Sequence, residues 1–158
     1  MTSDIRVTVL GVAQDGGLPH VGCACARCSG ARNGTRRRER VACLGLTGGR
    51  SAWLFDATPD LPEQLHALGC SAPTGIFLTH AHMGHYTGLV HLGREALDAR
   101  GVTLYVTSSM GRYLHDNEPW NRLIVGGNVT LRDASDVDLG GVRVRALPVP
   151  HRGEFTDT

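Results

Sequence analysis

The sequence predicts one α/β domain. Three observations carry that prediction: strand-like and helix-like segments alternate between residues 5 and 147, the 158-residue length suits a single domain with its own core, and a composition of 41% hydrophobic and 20% charged residues is that of a globular protein. Glycine is abundant at 21 residues, so turns and tight loops are frequent, while aromatics at 5% give no base-stacking platform for single-stranded nucleic acid. A formal net charge of +1 likewise argues against nucleic acid as a partner. All 16 basic residues are Arg. Without Lys, a Walker-type phosphate loop, a Schiff-base lysine and a Ser-Lys dyad are excluded.

The elements follow in order. Ile5 to Val12 alternates Ile5, Val7, Val9 with Arg6, Thr8, Leu10 and reads as a first strand. A Gly/Pro loop from Gly11 to Gly22 leads into a cysteine cluster, and Ser29 to Arg40 is polar and basic. Val41 to Leu46 and Ala52 to Phe55 read as two short strands joined by a turn at Thr47-Gly48-Gly49. Asp60 to Leu68 is a short helix, with Asp60 as cap, Glu63 in the capping-box position and Gly69 as stop. Gly75 to Leu78 is an apolar strand. Thr87 to Ala99 reads as a helix with Leu89, Leu92, Ala96 and Leu97 near one face. Val102 to Val106 is a strand, and Ser108 caps a helix running toward His115. Val129 to Leu131 and Val142 to Leu147 complete the strands.

No targeting or membrane segment is expected. The N-terminus lacks the basic start, apolar run and cleavage site of a signal peptide, and no apolar run approaches ~18 residues. The five Cys are an odd number, and Cys23, Cys25 and Cys28 are too close for a set of structural disulfides. A metal site in a reducing, cytoplasmic compartment is the expectation. Cys43 and Cys70 read as small buried hydrophobes.

The segment Ile76-Phe77-Leu78-Thr79-His80-Ala81-His82-Met83-Gly84-His85 places three His after an apolar strand. In extended backbone, side chains two apart point the same way, so His80 and His82 can reach one cation. The chain turns at Gly84 and delivers His85 at the start of the next helix. Neutral imidazole suits Zn, Fe, Mn or Ni. Three unrelated surface His is the competing reading.

Thr-His-Ala-His-Met-Gly-His-Tyr-Thr-Gly-Leu (79–89) resembles the H-x-H-x-D-H signature of the metallo-β-lactamase superfamily. The resemblance implies the αββα sandwich of that superfamily, of which residues 1–158 match only the first part. It implies His80 and His82 as ligands of a first metal and His85 as a ligand of a second, all in the catalytic centre. The signature's Asp is Gly84 here, so the His site is expected to hold one ion or two, zinc first, with Mn or Fe as alternatives. Phe55-Asp56-Ala57-Thr58-Pro59-Asp60 is similar to the family's strand-end Asp loop, which makes Asp56 a group that orients a ligand His. Val149-Pro150-His151 looks like the family's third His, completing a first-metal site of His80, His82 and His151.

Residues 11–28 look like coenzyme PQQ synthesis protein B and are also similar to the phosphodiesterase of the carbon–phosphorus lyase pathway, both of which carry a C-x-C-x-x-C zinc loop. A structural zinc at Cys23, Cys25 and Cys28 follows from the thiolate chemistry, at ~2.3 Å per sulfur, with His20 the nearest candidate for the fourth position. The expected function is a metal-dependent hydrolase that uses a metal-bound hydroxide on an ester or phosphodiester of a small, anionic substrate, the Arg36–Arg40 run steering the anion. A protein of cofactor synthesis and a non-catalytic zinc-binding fragment are the alternatives. The missing part of the fold is expected either because the chain is a fragment or because a homodimer completes the site.

Overall fold

The computed structural model describes residues 4–151. Its centre is a six-stranded sheet in the order β1(Arg6–Gly11), β2(Cys43–Gly48), β3(Ser51–Phe55), β4(Gly75–Phe77), β5(Val102–Val106), β6(Val129–Asp133). β1 and β2 pair antiparallel, as do β2 and β3; β3 to β6 are parallel. The helices are α1(Ala26–Arg32), α2(Leu61–Leu68), α3(Met83–Tyr86), α4(Ser108–Asp116) and α5(Trp120–Val125). A hairpin of β7(Asp136–Asp138) and β8(Arg143–Arg145) follows β6.

The parallel strands run in register, and their alternation builds two different faces. Leu54, Ile76 and Leu104 lie side by side on β3, β4 and β5, almost wholly buried, beneath Leu61, Leu65, Leu89, Leu92, Met110 and Leu114. One residue further along each strand, Phe55, Phe77 and Tyr105 line up on the opposite face, their rings stacked at 5.0 and 4.4 Å with 13° between planes. Val137, Leu139, Val142 and Val144 of the hairpin pack toward this second face.

Several expectations change in three dimensions. On β1 the inward residue is Leu10, whereas Val7 and Val9 are 64% and 63% exposed on the face away from the helices. The single helix expected over Thr87–Ala99 is instead a 3₁₀ helix over Thr87–Leu92, entered from the one-turn α3 and ended by Gly93 in extended conformation. The reason is close packing: a Cβ on Gly88 would stand 1.9 Å from the Thr58 carbonyl oxygen, so this turn lies directly on the Asp56–Thr58 loop. Asp60 does not cap α2 with its side chain; the carboxylate accepts the Val41 N–H at 2.8 Å, tying α2 to the start of β2. Thr107, not Ser108, caps α4, accepting from the Met110 N–H. The helices α1 and α5 and the strand β7 were not expected from periodicity. Cys43 is buried, and Cys70 packs against the core from a half-buried position.

Candidate metal centre

Parallel strands deliver their C-terminal ends to one edge of a sheet, where loops can converge. β3 ends at Phe55 and is followed by Asp56; β4 ends at Phe77 and is followed by Thr79 and His80. β1 runs the same way as β3, being two antiparallel steps from it, so the loop after Gly11 reaches this edge as well.

Asp56 sits at the hub. Its backbone is left-handed, with φ of 73°, a conformation that Asp tolerates better than most residues. Its N–H donates to the Phe77 carbonyl at 2.8 Å, which fixes the loop to the neighbouring strand. One carboxylate oxygen accepts the Thr79 N–H at 2.8 Å and the Thr79 hydroxyl at 2.9 Å. The other accepts His85 Nδ1–H at 2.7 Å. Thr79 Oγ1 also lies 2.8 Å from His80 Nδ1. With the hydroxyl proton given to the carboxylate, His80 Nδ1–H donates to Thr79. One carboxylate therefore sets the orientation of two imidazoles, and both keep an Nε2 lone pair.

The nitrogen atoms converge. His80 Nε2 is 2.8 Å from His82 Nδ1, and His151 Nε2 is 3.1 Å from the same atom. His80, His82 and His151 offer nitrogens that all lie within 4.8 Å of one another. Burial holds the His80 imidazolium down to about 4, reinforced by the neighbouring His85, His82 and His151 and opposed by Asp56. His80 is therefore neutral at pH 7 and needs to lose no proton to bind a cation. Three converging imidazoles, with His80 held in one tautomer through Thr79, fit a zinc ion with a fourth position open.

His85 stands apart from that trio. Its ring is 4.2 Å from the His80 ring, but its Nε2 faces Asp15 Oδ1 at 3.3 Å. Burial lowers its basicity, but the Asp56 hydrogen bond and charge, followed by the Asp15 charge, outweigh burial and raise it above the usual imidazole value. Beside His80 and His151 lies a cavity of 590 Å³, walled by Phe55, Phe77, Val144 and Leu147.

The cysteine loop forms a second centre. The sulfurs of Cys23, Cys25 and Cys28 lie within 4.8 Å of one another. Cys25 immediately precedes α1 and Cys28 lies within it, so the helix start sets their spacing. The Cys28 N–H, then the thiols of Cys23 and Cys28, stabilise the Cys25 thiolate and lower it to about 7. The Cys25 N–H lowers Cys23, but its hydrogen bonds with the Cys25 and Cys28 sulfurs push it up on balance. Three thiols sharing protons at this range are a donor set suited to zinc. His20 does not join them. Its Nδ1–H donates to the Val21 carbonyl at 2.9 Å and the ring lies against Gly16. Sequence reading also missed Arg32, which donates to the carbonyls of Cys23 at 2.5 Å and His20 at 2.7 Å and so closes the loop. Its place four residues after Cys28, one helical turn on, was the available signal.

A family profile described as a β-lactamase superfamily domain matches residues 52–158, the stretch that holds Asp56 and the four His of the site. The chain belongs to the metallo-β-lactamase superfamily. Curated relatives include coenzyme PQQ synthesis protein B of Rhizobium meliloti, 29% identical over 94% of this chain and 52% of its own length. The Azoarcus protein of the same name is 39% identical over 56% of this chain and 33% of its own. Among solved structures, zinc-bound PqqB from Methylobacterium extorquens superposes with a TM-score of 0.71 at 24% identity, covering 84% of this chain and 51% of that one. A diphosphatase from the PhnP family superposes with a TM-score of 0.69 at 27% identity, covering 90% of this chain and 56% of that one. The chain thus spans about half the length of these superfamily members. Among the described residues, no helix is long and apolar enough to cross a membrane.

Proposed function

We propose that this superfamily member is a metal-dependent hydrolase acting on an ester or phosphodiester bond of a small anionic molecule. The observation that carries the reading is the convergence of His80, His82 and His151 beside the 590 Å³ cavity. His80, His82 and His151 would hold a zinc ion, which when bound would supply Lewis acidity and lower the pKa of water toward neutrality. The protein's own part is to hold the ligands. Asp56 fixes His80 through Thr79 and fixes His85 directly, so the site needs little rearrangement to bind. The cavity is of a size for a small molecule, with Phe55 and Phe77 as an apolar wall and Thr79, His80 and His151 as polar groups. A second cavity of 970 Å³ is lined by Arg37, Arg38 and Arg40 together with Asp15, Glu39, Asp60 and Glu63, so it presents both signs of charge.

The test is zinc content and turnover of bis(p-nitrophenyl) phosphate for the wild type, His80→Ala and Cys25→Ala. The expected result is that His80→Ala loses one ion and at least ~100-fold in rate, about 2.7 kcal/mol. Cys25→Ala loses a different ion. Unchanged zinc and unchanged rate in His80→Ala would sink the proposal.

A second reading, a role in the synthesis of coenzyme PQQ, is favoured by the relatives named coenzyme PQQ synthesis protein B. Restored cofactor production in a strain lacking that protein, with no diester hydrolysis, would select it.

A further inference from the structure

The 590 Å³ cavity beside the three-His centre takes its apolar walls from two parts of the chain. In-register pairing of β3 with β4 sets Phe55 beside Phe77, their rings 5.0 Å apart and 13° from parallel, and both line the cavity. Val144 of β8, in the hairpin that packs toward this face, lines it as well. Leu147 and Val149 follow, on the segment that runs on to His151. Both are apolar, yet they are 77% and 73% exposed. Exposed apolar side chains gathered at one cavity mark a surface for binding.

The polar groups along the cavity are already engaged. Among the described residues that line it, Arg145 is the one with a permanent charge. Arg145 alternates with Val144 along β8 and turns to its cross-strand partner Asp136, Nε to Oδ2 at 3.4 Å. Thr107 accepts the Met110 N–H. Thr79 is held between Asp56 and His80, and His80 and His151 belong to the trio of converging nitrogens. Away from that trio the walls offer carbon and no free charge.

A molecule that reaches from the imidazoles into this space therefore meets two chemistries. A charged group on the walls would lose its water with nothing to replace it. An uncharged ring gains by leaving water and makes stacked or edge-to-face contacts with Phe55 and Phe77. The volume suits one such ring beside an anionic head. We propose that the substrate is an aryl phosphodiester or aryl ester whose ring carries no charge. The ring sits against Phe55, Phe77, Val144 and Leu147, and the phosphoryl or acyl group lies at His80 and His151. The inference rests on the hydrolase reading and narrows it to a substrate class. In the reaction, water's oxygen joins the phosphorus or acyl carbon and the bond from that atom to the aryl oxygen breaks. One proton of the water leaves with the aryl oxygen as a phenol.

The experiment is titration calorimetry of the whole chain, dialysed against zinc, with phenylphosphonate, methylphosphonate and para-carboxyphenylphosphonate. All three carry the same head on a P–C bond that is not hydrolysed, so binding is read without turnover. The expected result is that phenylphosphonate binds the wild type at least ~10-fold more tightly than methylphosphonate, and more tightly than the carboxylated ring. Leu147→Asn and Phe55→Leu are each expected to narrow the phenyl-to-methyl ratio at least ~3-fold. General damage to the fold would weaken both ligands and leave the ratio alone, and Leu147 is exposed enough for its variant to keep the fold. A wild-type ratio within twofold of unity overturns the inference, as do tighter binding of the carboxylated ring, a ratio that neither variant changes, and no binding of any of the three. If the ratio fails while His80→Ala still loses zinc and diester turnover, only the aryl assignment is refuted. If His80→Ala loses neither, the hydrolase reading falls, whatever the ratio.

Discussion

Asp56→Asn tests the hub of the site with the least disturbance. Asn keeps the size of the side chain and tolerates the left-handed φ of 73°, so the loop can stay in place. The amide oxygen can replace the carboxylate oxygen that accepts Thr79 N–H at 2.8 Å. The amide NH₂ then occupies the position that accepts His85 Nδ1–H at 2.7 Å, setting donor against donor. The ring resolves this by holding its proton on Nε2, where Asp15 Oδ1 at 3.3 Å can accept it. Replacing one charge-assisted hydrogen bond by a neutral one costs about 1–2 kcal/mol of stability, and loss of an orienting partner costs ~10–100-fold in metal affinity. That range corresponds to about 1.4–2.7 kcal/mol. Nitrogen-15 chemical shifts of the zinc-free protein read the tautomer, and chelator competition reads the affinity. Read at a pH above the His85 midpoint, where the ring is neutral, the expected outcome is a proton on Nδ1 in the wild type and on Nε2 in the variant, with weaker zinc retention. A variant that keeps the proton on Nδ1, or that holds zinc within twofold of the wild type, would refute the reasoning.

Other outcomes follow from the same geometry. Thr79→Val removes the hydroxyl between His80 and Asp56 and is expected to weaken zinc at the three-His centre about 10-fold with little loss of helix content, read by chelator competition and circular dichroism. In zinc-free protein, NMR titration is expected to place His80 near 4 and His85 above the ordinary imidazole value; a His80 midpoint at ~6.5 contradicts the burial argument. In zinc-free protein, iodoacetamide is expected to modify Cys25 before Cys43, with a rate that rises with pH through about 7, because Cys43 is buried and pushed up to about 12 by desolvation and the Asp56 charge. Zinc is expected to protect Cys25. Gly88→Ala puts a methyl 1.9 Å from the Thr58 carbonyl oxygen and is expected to cost ~1–3 kcal/mol, seen as a lower urea midpoint. An unchanged midpoint means the turn is free to move away from the Asp56 loop.

The sequence by itself determined which side chains can do the chemistry. The strand before Thr79, the two-residue spacing of His80 and His82, and the cluster Cys23, Cys25, Cys28 are local patterns, and local backbone geometry is enough to bring such neighbours together. The alternation of strands and helices was also local, and most of β1 to β6 was legible from it. The helix expected over Thr87–Ala99 failed because periodicity does not register how closely Gly88 must approach Thr58.

Tertiary structure decided everything that depends on distant chain segments. Parallel pairing of β3 with β4 set Asp56 against Thr79 and His85, 23 and 29 residues away, so the carboxylate orients His80 through Thr79 and His85 directly. His151 joins His82 from 69 residues away. Asp15 carried no signal at all, since nothing local distinguishes it from any other turn aspartate; it acquires its place from the backbone hydrogen bonds of Val12 and Ala13 to Arg40 and Ala42 and from the space that Gly84 leaves. The physical reason is that residue type fixes what a side chain can bind, whereas the register of a sheet and the seating of a loop fix which side chains meet.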